Sequence, residues 1–193
     1  MKKNLLLVDW NPKQDWPFLQ GLEKSTEEEW ELHSCDSSRH HGGVIQKIIH
    51  YAKLLYVPLR AILHRKQYKQ VVAFHKYHGL LLAFYFKLFH LKNVPEITVM
   101  TFIYKPKSGL KGKLLKRFVS YCVKSDYIKK LVVYSKSEVP YYAKLFDVSV
   151  DKFFATNYCI EDSTNKIPIG QKGDYFLSVG RSNRDYAFLL SSW

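Results

Sequence analysis

His75 and His78 stand three residues apart where the apolar run Gln70-Val-Val-Ala-Phe-His75 gives way to a helical segment. Imidazole titrates near neutral pH, so a pair of them at a strand end is suited to positioning a substrate or moving its proton. Two histidines at this spacing also invite a zinc ion. No Cys, Asp or Glu stands nearby to complete a tetrahedral set, so no metal is expected and the pair has either a structural or an acceptor-pocket role. Asp9 closes the first apolar run, Leu5-Leu-Leu-Val-Asp9, as a cleft carboxylate or as the cap of the following turn. Ser135 and Glu138 have the Ser-x-x-Glu spacing of a capping box, which satisfies free N–H groups at a helix start. The three cysteines, Cys35, Cys122 and Cys159, are odd in number and widely spaced. They fit neither a metal site nor a disulfide framework, and they suit a reducing cytosol.

Charge carries a second chemistry. The net charge is +13, and between Ser37 and Ser125 the only acidic residue is Glu96. So one-sided a field implies an anionic partner: a membrane, a nucleic acid or a phosphorylated substrate. Two blocks concentrate it. In the first, Lys47, Lys53, Arg60, Arg65, Lys66 and Lys69 flank apolar residues that recur at helical spacing from Ile45 to Leu63, with Pro58 expected to kink or break the helix. A basic amphipathic helix of this kind suits the surface of an anionic bilayer. In the second, Lys105, Lys107, Lys111 and Lys113 open a helix after a strand, where free N–H groups and the helix dipole favour lipid phosphates or a diphosphate. Nucleic acid is disfavoured, because no binding motif is present and the aromatic residues follow core periodicity.

These side chains must be held by a framework, and the framework is legible. Hydrophobic residues make up 47% and charged residues 24%, a balance that excludes a disordered chain. Leu5–Val8 is too short for a signal peptide, and the run from Gly79 to Leu91, interrupted by Lys87, is too short to cross a bilayer. Strands are expected at Leu5–Asp9, Trp30–Ser34, Gln70–His75, Ile97–Phe102, Leu131–Ser135 and Phe153–Ala155. Helices are expected at Trp16–Lys24, Val44 to about Gln67, Gly79–Leu91, Leu110–Lys124 and Ser137–Phe146. Strands separated by helices imply βαβ crossovers and a parallel α/β sheet. Ligands collect at the carboxyl ends of such strands, and that edge would carry Asp9, His75, Phe102–Lys105 and Ser135. After Tyr158 the composition turns polar, so residues 1–158 read as one domain, 159–174 as a linker and 175–193 as the first strand and helix of another.

Three blocks resemble one enzyme family. Leu131-Val-Val-Tyr-Ser-Lys-Ser-Glu138 leading to Tyr142-Ala-Lys-Leu-Phe146 is similar to the last strand, turn and helix of the N-terminal domain of retaining GT-B glycosyltransferases that build cell-surface and exopolysaccharides. Val150-Asp-Lys-Phe-Phe-Ala-Thr-Asn-Tyr158 resembles the segment before their interdomain linker. Tyr175-Phe-Leu-Ser-Val-Gly-Arg181 is similar to the strand and Gly-Arg turn that open their donor-binding domain. The resemblance covers most of the chain after about Gln70.

It implies a Rossmann-like, doubly wound GT-B N-terminal domain plus the first strand and helix of a second, truncated one. It further implies transfer of a sugar from a nucleotide-sugar donor to a lipid-linked or polysaccharide acceptor, with no cofactor. Asp9, His75 and His78 become acceptor-side candidates, Ser135 and Glu138 face the cleft, and Arg181 is the candidate for the donor diphosphate. The expected location is cytoplasmic, peripheral at the inner face of the membrane. The family's Glu-x₇-Glu donor signature would lie past Trp193, so this chain alone is expected to be inactive. The competing readings are a non-enzymatic membrane-surface module and the acceptor-side subunit of a split enzyme whose donor domain is a separate chain.

Overall fold

Leu5, Leu6, Leu7 and Val8 are all fully buried, which requires cover on both faces of the strand that holds them. A computed structural model describes residues 2–13, 15–35 and 43–157. Six strands, β1 (Lys3–Val8), β2 (Trp30–Ser34), β3 (Tyr68–His75), β4 (Glu96–Thr101), β5 (Ile128–Val133) and β6 (Phe153–Ala155), alternate with five α-helices. These are α1 (Pro17–Thr26), α2 (Val44–Leu63), α3 (Lys76–Leu88), α4 (Gly109–Val123) and α5 (Glu138–Phe146). The strands form one sheet in the order β2-β1-β3-β4-β5-β6, and every neighbouring pair is parallel. The expected α/β class and doubly wound, Rossmann-like parallel sheet are therefore present.

The order reverses once. From β1 the chain moves outward to β2, then crosses back over β1 to β3 and continues one strand at a time to β6. Right-handed crossovers put α1 on one face of such a sheet and α2 to α5 on the other. The cores follow that division. Leu5, Leu7, Val71, Val99 and Leu131 pack with Ala61, Leu80, Phe86, Val119 and Phe146 from α2 to α5. Leu6, Val8, Trp30 and Val72 pack with Phe18, Leu19 and Leu22 around α1.

Several boundaries differ from the sequence reading. Helix α2 stops at Leu63 and is followed by a 3-10 turn, Arg65–Gln67, so Arg65, Lys66 and Lys69 are not on it. It runs through Pro58, which is buried, instead of breaking there. Pro58 offers no N–H, so only the carbonyl four residues earlier loses its helical partner. Helix α3 begins at Lys76 directly after β3, with no intervening loop. Gly79 reads as a helix start but sits inside the first turn, because a Cβ there would meet Val99 Cγ2 at 2.6 Å and Ala73 Cβ at 3.1 Å. Glycine at this point lets helix and sheet approach closely. The described residues belong to a compact unit spanning Met1–Tyr158. The expected linker 159–174, the start of a second domain at 175–193 and Arg181 all lie outside the described residues.

Candidate functional site

In an open parallel sheet the crevice forms at the carboxyl edge where the strand order reverses. Here that point lies between β1 and β3, which are paired from Lys3↔Tyr68 to Leu7↔Ala73. Asp9 follows β1 by one residue, and His75 is the last residue of β3, so the topology brings these two sequence candidates to one place. Both are half-buried.

On the α1 side of this point aromatic rings pack into a wall. Trp10 lies edge-on to Trp16 at 5.2 Å and to Phe74 at 4.9 Å, and Phe18 is edge-on to Phe74 at 5.4 Å. The sequence holds these residues in separate segments, so the wall is invisible until β1, α1 and β3 are assembled. On the other side the His75 ring stands 5.5 Å from His78 and 5.5 Å from Tyr77.

His78 departs from its expected role. It is fully buried in the first turn of α3, and neither ring nitrogen has a hydrogen-bond partner. Burial, and secondarily the neighbouring His75, pushes its pKa down to about 3. At neutral pH it is therefore an uncharged core residue, out of reach of an acceptor. Its burial fits the structural role that the sequence also allows, and it follows from α3 starting at Lys76, ahead of Gly79.

The β4–α4 loop closes over the same edge. Lys76 Nζ donates to the carbonyl of Ile103, and burial, followed by the charge on Lys107, lowers its pKa. Thr101 Oγ1 donates to the carbonyl of Phe74. Gly109 has φ +75, in the left-handed region that favours glycine. A Cβ on Gly112 would stand 1.9 Å from the Lys107 carbonyl oxygen, so the loop folds back onto the first turn of α4 as only glycine permits. Lys105, Lys107, Lys111 and Lys113 are exposed around this helix start, and the first turn of α4 holds no acidic residue. The potential there favours an anion.

Farther along the edge, Ser135 and Glu138 do not form the expected reciprocal box. Helix α5 starts at Glu138, and Ser135 Oγ accepts from the Ser137 N–H at 3.3 Å. The Glu138 carboxylate accepts instead from the Tyr134 N–H at 3.2 Å, and it stands 3.2 Å from Tyr142 Oη. Tyr142 Oη in turn accepts from the Tyr104 N–H at 3.0 Å and lies 3.1 Å from the Tyr104 carbonyl oxygen. Its one proton serves either that carbonyl or Glu138. Burial raises the Tyr142 pKa. Tyr142 thus anchors the β4–α4 loop to α5 through Tyr104, a contact between residues 38 apart that no local motif announces.

The first basic block does not stay together. Lys47 and Lys53 lie on the exposed first half of α2, and Arg60 on its last turn. Arg65 donates to the Ile62 carbonyl at 3.2 Å, and Lys69 pairs with Glu28 at 2.5 Å near the amino edge of the sheet. Among the described residues no group of three or more His, Cys, Asp or Glu comes together to hold a metal ion. Cys35 and Cys122 are free thiols, and burial pushes Cys122 up to about 12. No described helix is long and apolar enough to cross a membrane.

A cavity of about 440 Å³ lies elsewhere, at the amino edge between Leu91 and Lys129. It is larger than one of about 230 Å³ at the carboxyl edge, lined by Tyr134, Lys136 and Asn157. The carboxyl edge remains the stronger candidate, because the strand reversal and the basic helix start converge there, whereas the amino-edge hollow is walled by loop residues. What fold and edge define together is a class: a Rossmann-like, all-parallel α/β domain whose strand order reverses between β1 and β3. No protein-family model matches the sequence, and no curated protein shows significant similarity to it.

Proposed function

We propose that this domain is the acceptor side of a GT-B-type glycosyltransferase, working on a lipid-linked or polysaccharide acceptor at the cytoplasmic face of an anionic membrane. The observation that carries the reading is the meeting of Asp9 and His75 at the strand reversal, beside the basic β4–α4 loop. In the proposed reaction an acceptor hydroxyl oxygen bonds to the anomeric carbon of a nucleotide sugar. The bond to the diphosphate breaks, and the hydroxyl proton passes to the departing phosphate oxygen. Asp9 and His75 would orient the hydroxyl, and Lys105, Lys107, Lys111 and Lys113 would attract the phosphates of a lipid-linked acceptor. The donor would sit against a second domain, to which Arg181 is assigned by resemblance alone.

The test is nuclear magnetic resonance on the full chain with a short-chain polyprenyl diphosphate-linked sugar. Expected are shift changes centred on Asp9, His75 and Lys105–Lys113, together with weaker binding of Asp9→Asn and His75→Ala. Changes confined to the amino-edge loops around Asn93 and Asp126 would sink the proposal. The exposed apolar helix α2 favours a second reading, a membrane-surface module that carries no chemistry of its own or serves a separately encoded donor domain. Binding of nucleotide sugar and acceptor without transfer, followed by transfer once a donor-binding domain is added, is the outcome a split enzyme requires.

A further inference from the structure

Helix α2 is amphipathic in the reverse sense. At about 100° per residue, Ile45, Ile48, Ile49, Leu55, Leu59 and Leu63 fall on one stripe. Of its four buried residues, Val57, Pro58 and Ala61 fall on the opposite side, which packs toward α3 and the sheet, and Ile62 lies at the edge of the stripe. A surface helix normally turns its apolar stripe to the core. Here the stripe faces out: Ile45 is 74% exposed, Ile48 62% and Leu63 78%. Twenty residues give it a length of about 30 Å.

The neighbouring helices continue the surface. Helices α2, α3 and α4 pack side by side and contain nine Lys or Arg but no Asp or Glu. Leu110 and Leu114 of α4 are exposed among its lysines. The described lysine–carboxylate pairs, Lys3–Glu29, Lys69–Glu28, Lys124–Asp147 and Lys129–Glu96, all lie near the amino edge of the sheet, away from this layer's centre. An apolar stripe in an acid-free basic field complements one kind of surface, a bilayer with anionic headgroups. A nucleic acid would use the charge and gain nothing from the isoleucines. A second copy would bring two positive layers face to face.

We propose that the α2–α3–α4 layer is a membrane-docking face, with the α2 stripe inserted at the acyl boundary and the exposed lysines of α4 at the headgroup phosphates. The inference deepens the lipid side of the proposed function and does not rest on sugar transfer. Helix α2 then lies in the membrane plane. Because βαβ helices run antiparallel to their strands, the strands lie along the membrane too. The carboxyl edge with Asp9 and His75 opens sideways, across the bilayer surface.

Sedimentation of the full chain with vesicles of equal parts phosphatidylcholine and phosphatidylglycerol tests this. Binding should exceed that to pure phosphatidylcholine by about tenfold or more and weaken with salt. The triple variant Ile45→Ser, Ile48→Ser, Ile49→Ser should bind about tenfold less with unchanged circular dichroism. The pair Lys111→Glu, Lys113→Glu should lose binding and salt dependence together, and it keeps the proposal falsifiable if the triple variant unfolds. Full vesicle binding by both variants overturns the docking face. So does a lipid-free dimer that the triple variant abolishes, or equal retention of the wild type on duplex DNA and on the anionic vesicles. Vesicle binding without glycosyl transfer leaves the docking face standing, whereas transfer without vesicle binding overturns it alone.

Discussion

At the scale of single residues, the hydroxyl of Tyr142 connects two segments that the sequence keeps far apart. Removing it in Tyr142→Phe strands the Tyr104 N–H in a buried position and deprives Glu138 of a partner. The expected loss is about 1–3 kcal/mol in urea unfolding, the cost of an unsatisfied buried donor. Wild-type stability in that variant would show that the loop is held by something else. His78 makes a prediction of a different kind. In the unfolded chain it takes up a proton as pH falls below its ordinary 6.5, whereas in the folded chain it does so only near about 3. Between those values the unfolded state binds more protons, so stability drops as pH falls through that window. His33 has a lowered pKa for the same leading reason, burial, and adds to the slope. The variant His78→Leu should therefore lose stability less steeply than the wild type between pH 6.5 and pH 4, by up to about 1.4 kcal/mol per pH unit. Parallel curves for the two proteins would contradict the burial of His78. Nothing in the sequence distinguished His78 from His75, since both follow an apolar run. Only the start of α3 at Lys76 turns one ring inward and leaves the other at the edge.

At the scale of elements, the alternation of apolar runs and helical spacing was enough to read the parallel sheet. The six strands and five helices expected within residues 1–158 all overlap observed ones. What the spacing left open was where each element stops. Residues Tyr68 and Lys69 fall between the expected helix and strand yet begin β3, because Arg65–Gln67 turn the chain and Tyr68 buries against the core. The glycines at the helix starts have a similar lesson. In Gly79→Ala, better helix propensity is worth about 1 kcal/mol, but the new methyl collides with Val99 Cγ2, on a β-branched side chain with no exposed surface to retreat into. Overpacking of about 1–3 kcal/mol should win, giving a net loss in denaturant midpoint. Gly112→Ala meets a main-chain carbonyl, so the loop must move; faster proteolysis between Lys105 and Lys113 is the expected readout. Unchanged cleavage would mean that the loop yields without cost.

At the scale of the whole molecule, the candidate site and the exposed helix belong to different kinds of evidence. The candidate site between β1 and β3 follows from strand order, which the sequence implied without specifying. The outward stripe of α2 was legible as periodicity, but periodicity gives no direction, and an amphipathic helix is ordinarily assumed to face its own core. The six basic residues grouped as one patch in sequence are spread from the first half of α2 to the start of β3, because the helix stops at Leu63. With the apolar stripe and the electrostatics both engaged, vesicle dissociation should quicken when isoleucines are removed, and vesicle association should slow as salt rises. Stopped-flow mixing separates the two, and isoleucine variants that alter only association would contradict the insertion of the stripe.

The four ion pairs near the amino edge have one more consequence. Lysines are neutralised there while helices α2, α3 and α4 hold no Asp or Glu of their own, so among the described residues charge is uneven, a dipole with its positive end toward that layer. A dipole in the field of a negatively charged surface feels a torque before it touches anything. At about 0.1 M salt that field reaches only about 10 Å, roughly the width of a helix. Within that last ångström-scale gap the domain would be rotated into one landing attitude, so orientation would be settled by the field and only retention by the isoleucines.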